Sequence, residues 1–248
     1  MAVDAADAAP DPRALGRRTR TQQLADRLVA AIAVGAFSPG ERLPPERELA
    51  RLQDVSRVTV RDALKQVAEL GLVEARRGRD GGTFVTATDP QAAGAEGTRR
   101  VLEDELARLA DLFDYRCLVE GTVARTAAIR GTESERAALR DLLAQFRATS
   151  EPARARELDR LLHGQVTAMT HNDHLAALCV QLTTEATLGF ASEPYPADSL
   201  ARAAHEHAEL ADAVAAGRAE EAARLATAHF SLTRELLEAG LDRARRRA

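Results

Sequence analysis

The stretch Val55–Leu70, VSRVTVRDALKQVAEL, decides the reading of this chain. Val60, Ala63, Leu64, Val67 and Leu70 recur at helical spacing and form one apolar face. Ser56 stands where an N-cap belongs, and Arg57, Thr59 and Arg61 crowd the first turns, off that face. A helix whose buried side is fixed, and whose exposed first turns carry Arg and Thr, suits the major groove of DNA. Arginine donates two hydrogen bonds to guanine or pairs with phosphate, and threonine suits a phosphate or a thymine methyl. The plainer alternative is an amphipathic helix with a basic face in solvent. The flanking segments decide between the two.

Upstream, Thr21–Val34 reads as a helix with the stripe Leu24, Leu28, Ala31 and Ile32, ended by Gly35. Phe37-Ser-Pro-Gly40 is a turn, and Pro45 can open a second helix over Glu46–Leu52. A short break at Gln53–Val55 then leads into the third. Helix, helix, tight turn, helix is the order of a helix-turn-helix fold. Downstream, Leu72–Ala75 and Thr83–Thr86 read as short strands around Arg76–Gly82, where Gly78, Gly81 and Gly82 permit a tight reversal. The product is a basic β-hairpin, a wing, whose arginines can reach phosphates or the minor groove. Residues 13–86 hold 14 Lys and Arg against 9 Asp and Glu, a net +5; residues 87–248 hold 20 against 26, a net −6. A basic front joined to an acidic rear assigns the polyanion to the front alone.

The chain of 248 residues is long enough for two domains with cores of their own. Its two cysteines, Cys117 and Cys179, have neither metal-type nor disulfide-framework spacing, which fits a reducing cytoplasm. The acidic start MAVDAADAAPDP lacks a signal pattern, and no apolar run approaches membrane-spanning length. The expectation is a cytoplasmic protein without a membrane partner, opening on a mobile tail over residues 1–16. The winged domain spans 17–86, and the small, polar stretch 87–98 reads as a linker. Residues 99–241 read as an all-α antiparallel bundle, and 242–248 as a basic tail. Within the bundle, Arg99–Ile129 is one long helix or two abutting ones, and Thr132–Glu135 is a capping box for a helix through Ala148. Helices follow over Ala155–Thr170, from Asn172 onward, over Ser199–Ala216 and over Ala219–Ala239. Pro194-Tyr-Pro196 breaks the chain, and Gly217 and Gly240 close the last two helices. The fold class is therefore mainly α, with one small β-hairpin.

Several polar residues fall on the apolar stripes of this bundle. Asp159 and His163 stand one turn apart beside Leu158, Leu162, Val166 and Met169. His207 shares a stripe with Leu200, Ala203, Leu210 and Val214, whereas His205 faces the other way. His229 shares one with Ala222, Leu225, Ala226, Leu232 and Leu236. Singly, each histidine reads as a hydrogen-bonded core residue. Together, three imidazoles and a carboxylate turned inward are costly to bury unless something pairs them. A divalent ion does so directly, zinc first, with nickel or manganese as alternatives.

Residues 17–86 resemble the winged helix-turn-helix domain of the GntR family of bacterial transcription regulators. The likeness runs through Ile32–Pro44, Glu46–Ala50, Val55–Leu64, Gly71–Val73 and Arg77–Val85 in order. It implies that Arg47, Arg57 and Arg61 contact DNA, that Ser56 and Thr59 support them, and that Gly78 approaches the groove from the wing. Arg47 lies outside the third helix, and its alternative is an ion pair with a neighbouring glutamate. Residues 105–240 resemble the ligand-binding domain of the FadR branch, on Asp159–His163, His207–Gly217 and Ala226–Phe230. That likeness implies a metal site of Asp159, His163, His207 and His229, and a small carboxylate effector that completes the coordination. Leu162 stands where the family often has Phe. Arg116 and Glu120 match a further family pattern, with Arg116 either a clamp for the effector carboxylate or an intrahelical partner of Glu120. Asn172 matches a recurrent effector-site Asn, or simply caps the helix that follows.

The resemblance implies a DNA-binding regulator, a repressor for preference, whose homodimer places two third helices in successive major grooves of a palindromic operator. A second reading is a metal-dependent hydrolase, against which no general base stands by motif beside the ligands. A third keeps DNA binding and makes the metal purely structural, or the sensed signal itself.

Overall fold

A computed structural model describes residues 18–78, 81–86, 92–190 and 197–248. The front of the chain is a winged helix-turn-helix. Its helices are α1 (Arg20–Ala33), α2 (Glu46–Leu52) and α3 (Arg57–Glu69), followed by β1 (Val73–Arg76) and β2 (Gly82–Val85). Thr19 caps α1 by accepting from the Gln22 amide, and Ser56 caps α3 by accepting from the Thr59 amide. The turn between α2 and α3 needs a left-handed residue, and Asp54 supplies it at φ 49°. Gly35 and Gly71, both at positive φ, end α1 and α3. Val60, Ala63, Leu64 and Val67 are the buried face of α3, as their spacing predicts. Burying each such aliphatic side chain stabilises by roughly 1.5–3 kcal/mol.

The two strands pair antiparallel, Val73 opposite Val85 and Arg76 opposite Gly82. A third segment that the sequence did not announce joins them: Arg42 bridges to Phe84, and the Val85 amide donates to the Glu41 carbonyl. The wing is thus pinned at its base to the chain leaving the Pro39–Gly40 turn.

Behind it stand α4 (Ala92–Arg130), α5 (Glu133–Ala148), α6 (Pro152–Ala168), α7 (Asp173–Ala186), α8 (Ala197–Ala215), α9 (Ala219–Phe230) and α10 (Leu232–Arg245). The capping box at Thr132 and Glu135 is present in both directions. Two apolar clusters hold the molecule. The second lies wholly within the helical domain, around Leu139, Leu158, Met169 and Val214. The first does not respect the domain boundary: it runs from Leu28, Leu49 and Val67 into Leu102, Leu109, Phe113, Leu237 and Leu241. Helices α4 and α10 therefore serve as a floor for the DNA-binding domain. Arg18 adds a polar seam there, pairing with Asp26 of α1 and with Asp104 of α4.

This shared core corrects several expectations. Helix begins at Ala92, inside the stretch read as a linker, because Ala95 and Thr98 are buried and Gly97 packs against Leu70. Arg99–Ile129 is part of one continuous helix. Ala219–Ala239 is not: it breaks at Ser231, whose hydroxyl donates back to the Ala228 carbonyl. Gly240 does not end a helix. A Cβ there would lie 3.2 Å from the Ala33 carbonyl oxygen, so Gly240 lets α10 approach α1. Residues 242–245, expected in a basic tail, are the last turn of α10, with Ala244 buried and Arg245 paired to Glu103. The tail over 1–16 and the break at Pro194–Pro196 lie outside the described residues.

Candidate metal centre and nucleic-acid interface

Four side chains from three helices converge in the helical domain. Asp159 and His163 come from α6, His207 from α8 and His229 from α9, and one ligand atom of each lies within 4.8 Å of all the others. His207 Nε2 is 3.0 Å from Asp159 Oδ1 and 3.2 Å from His163 Nε2, which is 3.3 Å from His229 Nε2. Donors at zinc bond lengths of about 2.1 Å stand roughly 3.0–3.4 Å apart in octahedral or tetrahedral arrangement. These three separations therefore fit one ion of that size.

The protonation states fit as well. His229 Nδ1 donates to Glu206 Oε2 at 2.8 Å, which orients the ring with Nε2 facing the cluster. Burial pushes the His207 imidazolium down to about 4, so the ring is neutral near pH 7. Burial alone would raise Asp159, yet His163 and His207 outweigh it and hold the carboxyl well below the usual range. A neutral His207 and an ionised Asp159 are the ligand forms of those two groups. Phe146 meets His207 edge-on, and Phe230 packs against His163 and His229, so aromatic walls fix the rings.

Asp159 and His163 also line a cavity of about 440 Å³ between α4, α6 and α7. Arg116 and Glu120 form another part of its wall, both buried, with Arg116 Nε 4.0 Å from Glu120 Oε1. The Arg116 guanidinium stacks on Phe230 at 4.5 Å and donates to Thr183 Oγ1. Arg116 is thus both a neighbour of Glu120 within α4 and part of the cavity wall. Asn172 is absent from that wall. Its Oδ1 accepts from the amides of His174 and Leu175, which makes it the N-cap of α7.

At the other end, the α3 arginines are free to meet a large partner. Arg57 and Arg61 are 64% and 63% exposed; Glu46 stands 3.8 Å from Arg57 and accepts two hydrogen bonds from Arg61 at 3.3 and 3.0 Å. Ser56 and Thr59 hydrogen-bond one another at the helix start, and Arg47 is exposed on α2. Gly78 holds φ +115° where the wing reverses. Arg76 of the wing stacks over Phe84 and pairs with Glu74.

Two contributors escaped the sequence reading. Glu206 orients His229, but it lies off the apolar stripe of its helix, and only the packing of α9 on α8 reveals it. Val58 is 63% exposed on the first turn of α3, an apolar side chain on the same exposed side as the arginines. Its signal was present: Val58 stands between the two arginines, off the buried face.

Comparison with known proteins places both halves. Residues 20–85 match the bacterial regulatory proteins of the gntR family, and residues 111–232 match the FCD domain. An HTH-type transcriptional regulator of Mycobacterium gastri, RmpR, is 29% identical over 223 residues, covering 88% of this chain and 80% of that one. The Uxu operon transcriptional regulator of Escherichia coli is 34% identical over 145 residues, 57% of this chain and 55% of that one. The Exu regulon transcriptional regulator of the same organism is 32% identical over 166 residues, 66% and 62% respectively. The aligned part thus spans little more than half the length of these two relatives. Among solved structures, a GntR family member from Pseudomonas syringae aligns over 90% of this chain and 88% of its own, at 21% identity and TM-score 0.46. With a DNA-reading head of one family's pattern joined to an FCD ligand-binding domain, the chain belongs to the GntR family of bacterial transcription regulators and is not an enzyme.

Proposed function

We propose that this protein is a repressor whose grip on a palindromic operator is controlled by a small carboxylate bound beside a metal ion, as in the FadR branch. The observation that carries the reading is the convergence of Asp159, His163, His207 and His229 on one point at the wall of a cavity that also presents Arg116. These four residues would hold the ion, zinc first by donor set, nickel or manganese next. When bound, the ion supplies a position for a carboxylate oxygen. Arg116, pre-oriented by Glu120 and Phe230, then clamps and aligns the acid. Glu206 keeps His229 in its ligand tautomer.

On the head, Arg57 and Arg61 reach base edges or phosphates, Arg47 supports them from α2, Ser56 and Thr59 set the helix start, and Gly78 brings the wing backbone close to the groove. A homodimer supplies the second α3. Tyr115, Leu118 and Ile129 are exposed on α4 at spacings of three and eleven residues, hence on one side of that helix, and a second copy would cover them.

The test is a gel shift on DNA from the protein's own promoter region. Two chains per fragment, affinity falling steeply with salt, and release by one of a panel of organic acids are expected. Release should require zinc-loaded protein and vanish after chelation. Failure to shift any palindromic fragment sinks the DNA reading. Release that persists without metal sinks the proposed effector site.

A further inference from the structure

Helix α6 carries two of the four cluster residues, and it also touches the DNA-binding head. Arg156 lies three residues before Asp159 and seven before His163, so the three share one side of the helix over roughly 10 Å. Arg156 Nη2 is 3.0 Å from Glu41 Oε1, with the two side chains 15% and 27% exposed. Glu41 is no ordinary surface carboxylate. Its Oε2 accepts from the Ser38 amide, its carbonyl accepts from Val85 of the wing, and its neighbour Leu43 donates to Thr83. One ion pair therefore joins the helix that bears Asp159 and His163 to the base of the wing.

Room to move is built in. Arg156 and Glu41 line a cavity of about 470 Å³ between the two domains, and Glu48 of α2 lines it too. Arg156 Nη1 is buried there with no hydrogen-bond partner among the described residues. A buried donor left unmatched means that the present pairing does not satisfy the guanidinium fully. A small shift of α6 can then re-pair Arg156 at little cost. Elsewhere the junction holds the Arg18 seam and the apolar core under α1, and that core is close-packed and resists graded movement.

We propose that Arg156 and Glu41 are positioning residues that carry ligation at the α6 cluster to the wing. The inference rests on the reading of that cluster as a metal and effector site. An ion that ties Asp159 and His163 to His207 and His229 restrains α6 along with Arg156, and Glu41 passes the change to β2. Linkage requires the reverse as well, so wing engagement with DNA must alter metal affinity by the same factor.

Hydrogen–deuterium exchange on the full chain tests this, with zinc alone as the probe. In the wild type, zinc should protect peptides around 159–163 and also change exchange over 73–85. Arg156→Met should keep the first response and lose most of the second. Arg156→Lys should retain both, and the exchange of charges in Arg156→Glu with Glu41→Arg should restore the wing response. In operator binding, any ratio between zinc-loaded and chelated wild type should shrink toward one in Arg156→Met. Absence of protection at 159–163 in the wild type overturns the metal reading itself. Protection there, with a wing that responds equally in Arg156→Met or not at all in the wild type, overturns the coupling alone.

Discussion

The head and the rear treat the same residue type in opposite ways. Arg57 and Arg61 keep more than half of their side-chain surface in water and share one carboxylate, Glu46, at 3.8 Å from Arg57 and 3.0 Å from Arg61. Arg116 keeps 1%, stacks on Phe230 and stands beside a buried Glu120. An exposed, hydrated cation can exchange its partner for a phosphate at small cost. A buried cation must have its geometry set in advance, because leaving it unpaired costs several kcal/mol. The proposed function asks for this contrast: a head that meets a long polyanion arriving from solution, and a rear whose cavity would receive one small anion.

The widest separation between the two regions is expected for His207→Ala. Loss of one of four converging donors should abolish stoichiometric zinc, read by native mass spectrometry. Operator affinity should match that of chelated wild type within about threefold, because nothing on α3 changes. A variant that loses zinc and DNA binding together would show that the shared core makes the halves inseparable.

Glu206→Gln sharpens the same contrast from outside the ligand set. The amide can still accept from His229 Nδ1, but it no longer carries the charge that favours that tautomer. Zinc affinity should fall about tenfold to a hundredfold, measured by competition with a chelating dye. An unchanged affinity would assign Glu206 to its ion pair with Arg202 and nothing more.

Arg61→Met probes the head. Operator affinity should fall about tenfold or more, with a shallower dependence on salt if Arg61 meets phosphate and an altered base preference if it meets guanine. Zinc content should stay at the wild-type value.

How far these sites were legible in the sequence follows from where periodicity applies. The stripes of α6, α8 and α9 turn Asp159, His163, His207 and His229 inward, and the structure brings exactly those side chains to one spot. The third helix was legible for the same reason, since its apolar face and its cap are local features. What depends on contacts between distant segments was not legible. Gly240 looks like a helix stop until α1 is seen against it, and a linker composition gives no warning that Ala95 and Thr98 will be buried. Glu206 and Arg156 belong with these, since each acts on a residue of another element. Asn172 was legible as a cap for the same local reason as Ser56, since its side chain accepts from amides of the helix it opens.

The smallest effect expected belongs to Ser56→Ala, and it bears on both regions. The Ser56 hydroxyl accepts from the Thr59 amide and hydrogen-bonds the Thr59 hydroxyl, so the first turn of α3 depends on it. Its removal should cost about 1 kcal/mol, a fall of a few degrees in Tm. Because Leu49 and Val67 belong to the same core as Leu102 and Leu237, that loss should appear as one cooperative transition, not as separate melting of the head. Two transitions, with only the earlier one moved by Ser56→Ala, would mean that α4 and α10 support the head without sharing its stability. The coupling through Arg156 would then connect two independently folding bodies, and the wing could respond to zinc without any change in the core beneath α1.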